Sequence, residues 1–218
     1  MRKLIHELPY ERPVAAGRFE YFENGLATGA VEVWQLNAAR DGYRFLRVDL
    51  NAAASSGDNV LFHLAVDAEG RPQRLKFHFF RQGAQVRGDV LFDEDRALLT
   101  REVDGRRVES EAAFATARPF WFPSGAGLGL LAKAQSGAGL TLRREAAFDL
   151  WPVDVVLQEG PEEMVTVMGR EVQTRQLRAR WEHEERVLWL DEAGWPVRVR
   201  RGDLVAQERR YVRYRQDD

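Results

Sequence analysis

Asp67-Ala68-Glu69-Gly70-Arg71-Pro72 and Asp191-Glu192-Ala193-Gly194-Trp195-Pro196 are two copies of one pattern, Asp-x-x-Gly-x-Pro. Each copy follows an apolar run, 60–66 in the first case and 187–190 in the second. Each leads into another strand-like run, 75–80 and 197–201. Gly, Pro and Asp are the residues that turn a chain between strands. The echo therefore predicts one β-unit used twice, and it speaks to architecture rather than to chemistry.

Working outward, short runs rich in Val, Leu, Phe, Tyr and Trp alternate with turn residues along most of the chain. Strands are predicted at 18–23, 29–36, 42–50, 60–66, 73–81, 84–92, 96–103 and 106–115. They resume at 139–149, 152–158, 163–168, 171–181, 184–190, 196–201 and 203–214. Asn24-Gly25, Asp41-Gly42, Gln82-Gly83, Asp104-Gly105, Met168-Gly169 and Gly202 punctuate them with residues that accept positive φ. The apolar alternation has period two. Leu75, Phe77 and Phe79 oppose Arg74, Lys76 and His78. Glu32, Trp34 and Leu36 share a parity opposite Val31 and Val33, and Arg44 shares one with Leu46, Val48 and Leu50. A sheet with one wet face reads this way.

Residues 1–17, with Pro9 and Pro13, read as an irregular arm. The middle of the chain differs from both flanks. Pro119-Phe120-Trp121-Phe122-Pro123 is a proline-bracketed aromatic knot, and a Gly-rich apolar stretch follows it. A helix is predicted over 126–134, capped by Ser124. The reading is one all-β domain of curved antiparallel sheets, half-barrel or β-roll like. Two similar halves, about 18–116 and 138–215, are joined by the segment 117–137 with its single short helix.

Composition sets bounds on function. The 218 residues carry 32 basic and 34 acidic side chains, a net charge of −2, so no global field draws in nucleic acid. Surface scaling gives roughly 70% of the chain's surface buried on folding, enough to need no staple. With no cysteine, disulfides, thiolate catalysis and Cys-based metal sites are excluded. The cations are nearly all arginine; lysine occurs only at Lys3, Lys76 and Lys133. No window approaches the 18 apolar residues of a membrane-crossing helix, and the basic start at 1–5 is too short for a signal peptide. A cytoplasmic location is expected, or a periplasmic one if a leader has been removed.

No catalytic constellation assembles. His6, His63, His78 and His183 lack metal spacing, and no carboxylate pair stands out as acid and base. Gly125-x-Gly127-x-Gly129 fails the dinucleotide template because position 130 is Leu, and fails the phosphate-loop template because Ala134 follows Lys133. No serine lies in a Gly-x-Ser-x-Gly elbow. Neither enzymatic activity nor a cofactor or metal is expected. The arginines of the last strands are expected to make cross-strand ion pairs. A curved sheet that large side chains do not fill leaves an apolar cavity. Trp34, Tyr43, Phe77, Phe79, Trp181 and Trp189 are therefore the candidate ligand-lining residues. An interaction module that pairs a sheet edge with a partner is the alternative.

Several landmarks occur in one order: Glu23-Asn24-Gly25-Leu26-Ala27-Thr28-Gly29, Asp41-Gly42-Tyr43, the first Asp-x-x-Gly-x-Pro, the 119–124 knot, Val167-Met168-Gly169-Arg170, and the second Asp-x-x-Gly-x-Pro. In this the chain resembles the DUF3108 domain family of bacterial proteins of unknown function, and it is similar in plan to the glycolipid-binding family. The resemblance implies a curved β-structure with an apolar groove for a lipid or glycolipid-like ligand. It implies no catalytic residues.

Overall fold

The structure is a computed structural model that describes residues 9–81, 84–115 and 117–214. The Gln82-Gly83 turn, His6, Arg215 and the first eight residues of the expected arm lie outside these. The described chain forms a single antiparallel sheet of 14 strands and one short helix. The first eight strands are β1 (Arg12–Glu23), β2 (Leu26–Ala38), β3 (Arg44–Ala52), β4 (Asp58–Val66), β5 (Pro72–Arg81), β6 (Ala84–Phe92), β7 (Arg96–Val103) and β8 (Arg106–Ala113). After the connecting segment come β9 (Gly137–Arg143), β10 (Asp149–Val167), β11 (Arg170–Trp181), β12 (Glu184–Leu190), β13 (Pro196–Arg201) and β14 (Leu204–Arg213). The order across the sheet is 8-7-6-5-4-3-2-1-14-13-12-11-10-9. Every neighbour is thus the next strand in the chain, except at the β1–β14 seam that joins the two ends.

The expected turns hold. Asn24-Gly25 (φ 50° and 79°), Asp104-Gly105 (48° and 79°) and Met168-Gly169 (51° and 76°) all take the left-handed pair that a two-residue hairpin requires. The two Asp-x-x-Gly-x-Pro corners also match bond for bond. Asp67 N–H donates to the Arg71 carbonyl (3.0 Å) and Asp191 N–H to the Trp195 carbonyl (2.9 Å). Arg71 N–H donates to Asp67 Oδ1 and Trp195 N–H to Asp191 Oδ1, both at 2.8 Å. Gly70 and Gly194 take φ of 83° and 85°.

Four expectations are corrected. The arm is strand from Arg12 onward: Pro13 is accommodated at a bulge, where the register with β2 shifts between Pro13 and Ala15. The separate strands expected at 152–158 and 163–168 are one strand, β10, because Gly160 and Pro161 fall in a bulge between Glu159 and Glu162 instead of a turn. The strand expected to reach 149 stops at Arg143. There a 3-10 turn (Arg144–Ala146) and two left-handed residues, Ala147 (φ 53°) and Phe148 (φ 59°), throw the Phe148 ring into the core. Finally, the helix expected over 126–134 is a single α-turn, α1 (Gly125–Leu128), followed by 3-10 turn over Gly129–Lys133. Ser124 does cap it, its Oγ accepting from Gly127 N–H at 2.8 Å.

The sheet is curved but not closed. At its far ends β7 and β8 meet the start of β10 through side chains: Ser110 Oγ donates to Asp149 Oδ1 (2.6 Å), and Arg101 pairs with Asp149 (3.0 Å). Arg106, Arg107, Glu109 and Glu111 keep the β8 edge charged, which discourages pairing with another chain.

The connecting segment fills the concavity. Its three rings are all buried and reach in different directions. Phe120 packs on Phe92 (4.7 Å between centroids), Trp121 on Trp181 (5.2 Å) and Phe122 on Phe62 (4.5 Å). The segment therefore ties β6, β4 and β11 together from inside. The glycines after the knot reflect close approach rather than phosphate chemistry. A Cβ on Gly127 would sit 2.5 Å from the Phe122 carbonyl, and one on Gly129 would sit 2.7 Å from Pro196 Cδ.

One polar group anchors this plug. Glu32 on β2 is fully buried on the concave face. Its carboxylate accepts from Gly125 N–H (2.8 Å), Ala126 N–H (2.7 Å) and the Tyr21 hydroxyl (2.5 Å). Burial pushes the carboxyl above its ordinary range, and the donors oppose that rise. Removing the acceptor strands three donors, each costing about 1–3 kcal/mol. Glu32→Ala is therefore expected to lose about 3–5 kcal/mol in urea denaturation, and Glu32→Gln, which keeps one acceptor, about 1–3 kcal/mol. A loss below about 1 kcal/mol for Glu32→Ala would mean that the plug is held by its rings alone.

Candidate functional site

The plug does not reach one end of the sheet. All the termini at that end are fixed by register. Leu36, Leu46, Leu64 and Leu75 lie opposite one another on β2 to β5 as a row of partners. The next row out is Ala38, Arg44, Val66 and Pro72, two residues on along β2 to β4 and three along β5, where the register with β4 shifts. A cleft of about 590 Å³ opens here between sheet and plug. Its sheet wall includes Leu36, Leu46 and Leu64, and its plug wall Phe120 and Leu130. The two repeated corners form its lips: Glu69 to Pro72 on one side, Ala193 to Trp195 on the other. The pattern that reads as architecture in the sequence thus frames this opening.

The charges around the cleft are uneven. Arg44, Arg71, Arg118 and Lys133 line it, with Glu69 as the sole acidic lining residue. Arg71 is held by Asp67 and Glu69, each at 2.9 Å. Arg44, Arg118 and Lys133 are exposed and make no ion pair among the described residues.

Behind Trp195 lies a buried ionisable cluster. Trp195 stacks on Trp34 (5.2 Å), and the Arg213 guanidinium also lies over the Trp34 ring, 5.0 Å from its centroid. Arg213 donates to Asp191 (2.7 Å) and to Glu208 (3.3 Å). Glu208 is fully buried, and desolvation, aided by the Asp191 charge and offset only in part by Arg213, pushes its carboxyl up to about 8.

A second, smaller cleft of about 210 Å³ lies at the opposite end, lined by Tyr21, Trp151 and Trp181 among others. Its cations are already committed: Arg186 and Arg201 to Glu184 (2.5 and 3.2 Å), and Arg144 to the buried Asp58.

The six candidate lining residues fall in five places. Trp34 is 1% exposed beneath Trp195. Phe77 and Phe79 are buried against Phe148 (5.3 and 5.1 Å). Trp181 lines the smaller cleft. Trp189 packs in a satellite cluster with Val165, Val167, Val187 and Val197, flanked by Arg198 and Arg200. Tyr43 is exposed in the turn before β3. None of the six lines the larger cleft. The residues that do so were signalled in part. Arg44 shares its parity with Leu46 and Leu64's partner row, so a cation on the apolar face of β3 marked the mouth. Arg118 and Lys133 flank a connecting segment and carried no such signal.

His63 is half-buried beside Arg47, and burial together with that cation lowers it to about 4. It stays neutral at neutral pH. Among the described residues no group of three or more His, Cys, Asp or Glu could hold a metal ion, and no helix is long and apolar enough to cross a membrane.

Glu208 gives a measurable consequence. Its folded pKa of about 8 lies above the ordinary carboxylate value, so the folded chain holds a proton that the unfolded chain releases. Stability from this group is complete below about pH 4.5 and is lost as pH rises through 8, by on the order of 2–5 kcal/mol. Urea midpoints of the wild type should fall between pH 5 and 9 more steeply than those of Glu208→Gln. Parallel slopes in the two proteins would show that Glu208 is already ionised when folded. No protein-family model, curated protein or solved structure matches the chain, so its functional reading rests on its own residues.

Proposed function

We propose that the protein binds a lipid-like, single-chain ligand, its apolar part laid in the cleft between the β2–β5 leucine row and the plug. The observation that carries this reading is the cleft itself. At about 590 Å³ it falls in the range of small-molecule sites, roughly 300–1,000 Å³, and its floor is leucine and phenylalanine. A protein selected only for a filled interior would extend its plug to the end of the sheet. Here the plug's last residues, Leu130 and Ala132, form a wall with the sheet opposite. The chemistry is binding: among the described residues, the cleft's lining holds no His, Ser, Thr, Tyr or Asp, and no group of three or more His, Cys, Asp or Glu could hold a metal ion.

The neutral apolar dye N-phenyl-1-naphthylamine tests the reading. Wild-type protein should enhance its fluorescence with one-site saturation and quench Trp195 in parallel. Val66→Trp places an indole in the mouth at a half-buried position and should abolish the enhancement without lowering thermal stability by more than a few degrees. No enhancement by the wild type, or undiminished enhancement by Val66→Trp, would reject the cleft as the site.

A further inference from the structure

Resting on the binding reading above, we infer that the ligand is a long-chain carboxylate, bound with its chain inward and its anionic head at the mouth between Arg44, Arg118 and Lys133. Three observations converge on this. The first is the charge count. Four of the five charged residues lining the cleft are cations, in a chain whose acidic residues outnumber its basic ones by 34 to 32. The second is that three of these cations are uncommitted. Some exposed arginines elsewhere are taken up, Arg74 by Asp89 (2.5 Å), Arg107 by Glu109 (2.7 Å) and Arg180 by Glu185 (2.9 Å), and those that are not, such as Arg106, Arg170 and Arg210, do not line this cleft. Arg44, Arg118 and Lys133 have no such partner among the described residues, although all three line one opening.

The third observation is the layering. Arg44 lies in the outer row with Val66 and Pro72, directly beyond the inner row of Leu46, Leu64 and Leu75. Arg118 directly precedes the Pro119–Phe120 wall and Lys133 ends the turn that carries Leu130. The cations therefore reach the mouth from both walls, and the apolar surface lies behind them. That arrangement orients an amphiphile and gives its head two guanidinium groups that fit a carboxylate bidentately. The volume suits one chain. With each methylene taken at ~30 Å³, one water's share of liquid volume, a chain of about sixteen carbons fills about 480 Å³. Two such chains exceed the cleft.

Parinaric acid and its methyl ester test the inference, because they share one fluorescent eighteen-carbon chain and differ in the charge of the head. The wild type should bind the acid at least tenfold more tightly than the ester at pH 8 and low salt. In 0.5 M NaCl that ratio should shrink severalfold, as exposed charges are screened. The double variant Arg44→Gln/Lys133→Gln should bring the ratio to within about twofold. Arg74→Gln, a paired surface arginine outside the cleft, should leave the ratio as in the wild type. Equal affinity for acid and ester in the wild type would overturn the inference and leave the binding reading standing. An equal loss of both ligands in the double variant would also overturn it, since the cations would then be shaping the cleft. Failure of both ligands to bind the wild type would overturn inference and reading together.

Discussion

A buried carboxylate that accepts three hydrogen bonds from a connecting segment is the contact on which the rest of this structure depends. Glu32 sits on the apolar face of a central strand, where an unpaired charge would cost several kcal/mol. Two backbone amides of the first helical turn and the Tyr21 hydroxyl offset that cost. The contact is directional, unlike the ring packing around it. Rings can slide by a residue with modest loss, whereas the amides of Gly125 and Ala126 meet Glu32 in one register alone. With that register fixed, Phe120, Trp121 and Phe122 reach three separate parts of the sheet, and the plug ends where the cleft begins.

The sheet makes this necessary. A curved antiparallel sheet of 14 strands has more concave surface than its own side chains cover. Left open at both edges, it also has strands to protect. The chain meets both demands with little extra sequence. Side chains of β7 and β8 reach Asp149 at the start of β10, so the ends approach without a backbone ladder. The insertion occupies the middle and leaves a space at each end. The end framed by the two repeated corners is apolar, and its Arg44, Arg118 and Lys133 make no ion pair among the described residues; the other is aromatic, with Arg144, Arg186 and Arg201 in ion pairs.

Much of the fold was legible because period-two alternation and positive-φ turn pairs are local signals. Asn24-Gly25, Asp104-Gly105 and Met168-Gly169 needed no tertiary context to be read as hairpins. What failed was non-local. Pro13 breaks a strand in isolation but is harmless at a bulge. Phe148 enters the core from a left-handed backbone that its own sequence does not favour. The four-residue run 187–190 is buried on both faces, so composition could not tell which side Trp189 takes. The site was less legible still. Of the six aromatic rings, Trp34, Phe77, Phe79 and Trp189 are packed in buried clusters, since a concave sheet buries its largest side chains first, while Trp181 lines the smaller cleft and Tyr43 is exposed. The better guide was the charged residue on an apolar parity: Glu32 beside Trp34 and Leu36, and Arg44 beside Leu46. One anchors the plug and the other stands at the mouth.

Amide hydrogen exchange at Gly125 and Ala126 tests the anchoring most directly. Donors to a buried carboxylate on a central strand should exchange only through global unfolding, with the same free energy as the core amides of β2. Exchange at the fast rate of a surface loop, while β2 stays protected, would show that the plug detaches without unfolding the sheet and that Glu32 does not hold it.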